Sequence, residues 1–115
     1  MSARLPRLNR LMVLEAVDRA PDGAGGFVEV RRVLGRLWAE LDPRSGRESG
    51  EEEAPLGPVT CRITVRGAPP SSPRRPRPGQ ILREGTRVFR LLAISEADAG
   101  ARFLTCYARE EEVSQ

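Results

Sequence analysis

Two charged stretches hold the residues with the most chemical potential in this chain. The first lies between Pro43 and Pro58 and carries Arg44, Arg47, Glu48, Glu51, Glu52 and Glu53 among glycines, serines and prolines. The second begins at Arg66 and carries Arg74, Arg75 and Arg77, with five prolines between Gly67 and Gly79. A carboxylate pair does acid-base work only where burial or a like charge raises one pKa. Nothing around Glu51, Glu52 and Glu53 supplies that, so their chemistry is electrostatic: the cluster repels phosphates and other anions. The arginines stay protonated and make planar, bidentate contacts with carboxylates or phosphates. Arg66, Arg74, Arg75 and Arg77 therefore suit docking to an acidic patch on a neighbouring protein, with DNA phosphate as the alternative.

The residues that are missing narrow the function further. All 19 basic residues are arginine, and there is no histidine. The usual neutral-pH general base and the commonest metal ligand are thus absent. Cys61 and Cys106 lack metal-type spacing and fall in predicted strands, which reads as reduced core cysteines. No nucleophile elbow, phosphate-binding glycine loop or zinc pattern is present. The expectation is a protein that is not an enzyme, with no cofactor, no metal and no catalytic residue. The apolar run Leu11–Leu14 is too short for a signal peptide or a membrane span, so cytoplasmic synthesis and no membrane association are expected.

Charged loops need a frame, and alternation of apolar and polar residues supplies one. The chain has 115 residues, enough for one domain, 1–115, whose core must come mostly from Val, Leu, Ile and Ala. Residues 10–19 allow a helix by propensity, but the glycine-dense stretch Asp22–Gly26 that follows suits a hairpin turn, which favours a strand there. Residues 27–41 continue as a long strand bent or bulged at Gly35, with Trp38 expected as a partly buried core ring. Val59–Arg66 is the clearest strand, with Val59, Cys61, Ile63 and Val65 on one face. Short strands over 80–83, 88–95 and 101–108 complete the set, with a turn at Glu84–Thr86. Strict alternation places Val88, Arg90, Leu92 and Ile94 opposite Phe89, Leu91 and Ala93.

The fold class is all-β: a small antiparallel β-barrel of five to six strands over about residues 8–108, with long loops at 43–58 and 67–79. A loop as long as 43–58 is uncommon in a compact domain unless it is functional or disordered. Five prolines predict an extended, polyproline-like backbone for 67–79, making it a stiff cationic arm. The acidic C-terminal tail, 109–115, is expected to fray.

Several segments carry a likeness beyond composition. They are Asp22-Gly23-Ala24-Gly25-Gly26-Phe27-Val28-Glu29-Val30, Leu37-Trp38-Ala39-Glu40-Leu41-Asp42-Pro43-Arg44-Ser45-Gly46-Arg47-Glu48, Thr60-Cys61-Arg62-Ile63-Thr64-Val65-Arg66, and Glu84-Gly85-Thr86-Arg87-Val88-Phe89-Arg90-Leu91-Leu92-Ala93-Ile94, before Arg102-Phe103-Leu104-Thr105-Cys106-Tyr107. Together they resemble the head-tail joining (stopper, or head-closure) proteins of tailed phages, especially the version in gene transfer agents. The resemblance implies a virion structural protein of the phage neck: a small barrel whose copies form a homo-hexameric ring beneath the portal and adaptor proteins. Such a ring closes the DNA channel, joins the tail terminator or tail tube proteins, and lets packaged double-stranded DNA pass. By position, 43–57 corresponds to the loop that enters the channel in that family. Two other readings stay open: a small basic β-barrel that binds nucleic acid, and another neck component such as a tail terminator.

Overall fold

The computed structural model describes residues 5–43 and 59–111. Among these, six antiparallel strands close into a barrel in the order β1-β2-β3-β6-β5-β4. They are β1 Arg10–Pro21, β2 Phe27–Pro43, β3 Cys61–Arg66, β4 Ile81–Glu84, β5 Arg87–Glu96 and β6 Phe103–Glu111.

Alternation along each strand builds the interior. Met12 and Leu14 of β1, Ala39 of β2, Cys61, Ile63 and Val65 of β3, Leu82 of β4, Phe89 and Leu91 of β5, and Leu104, Cys106 and Ala108 of β6 form one buried cluster. Leu34, Leu37, Leu41 and Ile94 pack against it. Full burial of a side chain such as Phe89 or Leu104 contributes about 1.5–3 kcal/mol, so this cluster is the principal source of stability. Both cysteines are free and buried. Burial pushes the Cys61 thiol up to about 11; it pushes Cys106 up to about 12, with the neighbouring Cys61 adding to the effect.

Bulges shift the alternation at two points. Leu14 pairs with Gly35 but Glu15 pairs with Val33, which leaves Leu34 as the extra residue beside the glycine flagged by sequence. In β5, Leu91 pairs with Ala108 and Ala93 with Tyr107, so Leu92 is the extra residue. Strict alternation over 88–95 is thereby corrected: Phe89, Leu91 and Ile94 face the core, because the bulge rotates the strand by one residue.

The hairpin turn between β1 and β2 forms where the glycines predict it. Asp22 Oδ1 accepts hydrogen bonds from the backbone N–H of Ala24 (2.8 Å) and Gly26 (2.9 Å). Gly23 and Gly25 take positive φ of 81° and 89°, which glycine adopts at no steric cost.

The 67–79 loop departs from the extended arm expected of it. It is a chain of tight turns: Ser72 N–H donates to Pro69 O, Arg75 N–H to Ser72 O, and Gln80 N–H to Arg77 O. Pro70, Pro73 and Pro78 occupy the second position of these turns, where their fixed φ is favoured, and Gly79 follows at φ 90°. The prolines therefore specify turns, and Pro76 is buried. The first residues of the C-terminal tail depart from the fraying expected of them, since β6 continues to Glu111. Glu110 binds Arg87 through two contacts of 2.8 and 2.9 Å, and Glu111 binds Arg90 and Arg109 at 3.0 Å each.

Candidate functional site

No group of three or more His, Cys, Asp or Glu side chains able to hold a metal ion is present among the described residues. What the barrel presents instead are surfaces, and charge distribution separates them. Around most of its outer wall the arginines are matched by carboxylates. Arg10 binds Glu84 bidentately (2.9 and 2.6 Å), Arg62 meets Asp42 at 2.9 Å, and Arg83 reaches the buried Glu15 at 3.1 Å. The hydrogen bond from Arg10 holds the Glu84 carboxyl below its ordinary value, and that from Arg87 does the same for Glu110. Burial alone would raise Glu111, but the hydrogen bonds from Arg90 and Arg109 outweigh it and lower its pKa.

One groove lacks such matching. About 390 Å³ in volume, it is lined by Leu8 ahead of β1, Arg36 and Trp38 of β2, Arg66 at the end of β3, and Ser72 and Arg74 of the proline-rich loop, among others. Among the described residues, none that lines it is acidic. The Arg74 side chain donates to Arg36 O at 2.7 Å. That carbonyl belongs to the stretch of β2 beyond the ladder with β3, which covers only Ala39–Pro43, so the guanidinium caps an otherwise unpaired strand edge. Arg66 lies over the Phe103 ring, 5.7 Å from its centroid. Neither contact neutralises charge.

Two of the four arginines assigned to partner docking thus meet at this groove, and two do not. Arg75 donates to Ala68 O at 2.8 Å and Arg77 donates to Pro70 O, so both guanidinia turn toward their own loop, and neither lines the groove. Arg44, Arg47, Glu48, Glu51, Glu52 and Glu53 lie outside the described residues. Trp38 is corrected: it is 55% exposed and pairs with Leu11 on the outer wall. With Leu37 and Leu41 packed inward and Ala39 buried among the core residues, strand parity forces Trp38 outward. That parity was the available signal for both Trp38 and Arg36.

The second surface is an arm. Beyond Glu15, β1 has no ladder to β4, and β2 before Ala39 has none to β3. Ala16–Pro21 and Phe27–Arg32 therefore pair only with each other, projecting as a two-stranded ribbon with Val33 at its base. Phe27, Val28, Val30 and Val33 are 59%, 49%, 45% and 60% exposed, with Phe27 and Val33 on one face and Val28 and Val30 on the other. Arg90 ties the ribbon to the barrel through Glu29 at 3.2 Å, and Arg19 stacks on Phe27, 4.5 Å from its centroid.

A small closed barrel with an apolar arm and a cationic groove presents surfaces of the kind that assembly proteins use. More specifically, residues 3–111 match the family described as phage head completion protein, and the chain belongs to that family. It is similar to a chain in the virion of a native gene transfer agent particle, with 41% identity, a TM-score of 0.67, and 95% of this chain and 98% of that one covered. The solution structure of protein SF1141 from Shigella flexneri 2a has the same fold, with 21% identity, a TM-score of 0.66, and coverage of 94% and 96%. No curated protein matches the sequence. A head completion family is structural, which points away from catalysis.

Proposed function

We propose that this chain is a head-tail connector of the stopper type, which forms a ring under the portal and adaptor, closes the DNA channel and joins the tail. Family membership and likeness to a gene transfer agent virion chain support the coarser part of this reading, a structural role at the head or neck of a particle. The observation that carries the finer part is the arm. An isolated two-stranded ribbon is marginal in water, and this one exposes apolar residues on both faces and has an unpaired edge on each side. Burial against neighbouring subunits satisfies all of these at once.

In this reading six copies form the ring, and Arg44, Arg47, Glu48, Glu51, Glu52 and Glu53 face the channel. Their carboxylates repel DNA phosphates and discourage a resting contact, so DNA slides past. The nucleic-acid-binding alternative is the weaker reading, because around the barrel wall outside the Trp38 groove most arginines are already paired with carboxylates. Electron microscopy of particles from cells lacking the chain tests the proposal. Tailless heads that have lost their DNA, together with free tails, are expected; normal tailed and filled particles would overturn it.

A further inference from the structure

Resting on that reading, and deepening it, we infer that the Trp38 groove binds a short acidic segment of a different virion protein, one presenting two or more carboxylates around a bulky apolar side chain. Three features define this occupant. Arg36, Arg66 and Arg74 bring three positive charges to a single concavity with no acidic lining among the described residues, whereas Arg10, Arg62, Arg83, Arg87 and Arg90 on the same barrel each have a carboxylate. Charges left uncompensated beside apolar surface favour a partner that supplies the opposite sign. Leu8 and Trp38 form the apolar part of the groove, and an exposed Trp flanked by Arg has the composition of an interface anchor.

Size and position select a peptide. At about 390 Å³ the groove takes a short segment with one bulky and two small side chains, whereas a duplex backbone needs a longer track of cations. The proline-rich loop is held by its own hydrogen bonds, including Arg74 to Arg36 O and Arg75 to Ala68 O. The groove wall is therefore preformed, which lowers the ordering cost of binding.

The test replaces Trp38 with the photoactivatable aromatic p-benzoylphenylalanine, keeping a ring in the groove, and places the same residue at exposed Ser95 as a control. Particles carrying each variant are irradiated, digested and sequenced by mass spectrometry, and incorporation of the chain is measured in the same particles by immunoblot. The expected adduct at position 38 is a peptide of another virion protein, with at least two Asp or Glu close to an apolar side chain. Adding Arg36→Glu and Arg66→Glu should cut its yield roughly tenfold, as removal of paired interface charges does. A DNA adduct, a peptide without clustered carboxylates, a segment of a second copy of this chain, or no adduct in particles that contain the variant would each overturn the inference. Those outcomes leave the connector reading intact, because it fails separately, by absence of the chain from particles or by the microscopy described above.

Discussion

Replacing Val28, Val30 and Val33 together with threonine should leave the isolated barrel stable and cripple its entry into particles. Threonine keeps the β-branched shape that strands favour, and Phe27 is left in place because Arg19 stacks on it. The three valines are 49%, 45% and 60% exposed, so about half of each side chain remains to be buried in an assembly. Threonine keeps one of valine's two methyls, so at each site half-burial forfeits about half of ~0.8 kcal/mol, or about 1.2 kcal/mol per copy over the three positions. At 1.4 kcal/mol per factor of ten, that is about a sevenfold loss of association; desolvating the new hydroxyls adds to it. Denaturant unfolding of the isolated variant should change by no more than about 0.5 kcal/mol, as for ordinary surface positions. The decisive assay expresses wild-type and variant chains in equal amounts and measures their ratio in purified particles. Equal incorporation would refute the argument that the arm is an assembly surface, and so would a variant that unfolds on its own.

Acid titration should expose the rim carboxylates. Glu84 and Glu110 have lowered pKa values in the folded chain, so their stabilising effect is present above the unfolded carboxylate value of about 4.3 and is lost as pH falls below it. Urea midpoints should therefore decline below about pH 4.5, and Glu84→Gln with Glu110→Gln should flatten the decline. Gly67→Ala should destabilise the fold by at least about 1–3 kcal/mol, because the added Cβ would stand 2.2 Å from the carbonyl oxygen of Ala101; an unchanged melting temperature would contradict the packing described. Both thiols should resist alkylation at pH 8 until denaturant is added, since burial lifts Cys61 to about 11 and Cys106 to about 12. Mass spectrometry of iodoacetamide-treated native protein reads this directly.

Much of the frame was legible because alternation is a local signal. Val59–Arg66 and the Asp22–Gly26 turn follow from residue order alone, and the glycine signal at Gly35 located the β2 bulge to within one residue. Three features needed tertiary information. Leu92 is apolar like its neighbours, so nothing local distinguishes a bulged residue from a regular one. Trp38 is the chain's only tryptophan, and its size suggested burial, yet the inward packing of Leu37 and Leu41 decides its side. The proline-rich loop reads as extended when prolines are counted, but Pro70, Pro73 and Pro78 each fall at the second position of a turn closed by a backbone hydrogen bond. Its arginines look equivalent in sequence; only the positions of the Ala68, Pro70 and Arg36 carbonyls show which guanidinium faces its own loop and which lines the groove.

The course of β2 separates the surfaces that an assembly must keep apart. Its 17 residues span about 53 Å at ~3.3 Å per step, close to the 57 Å long dimension of the molecule. The arm occupies its beginning, the groove its middle around Trp38, and the segment 44–58 leaves from its end at Pro43. Pro43 pairs with Cys61, whereas the groove is reached at Arg66, five residues on and about 17 Å away at the same rise. The groove and the root of the 44–58 segment at Pro43 thus lie at different points along one strand pair. If 44–58 faces the channel as proposed, that spacing gives a partner in the groove a contact of its own, so that a chain of net charge +3 would meet DNA and protein through different parts of its surface.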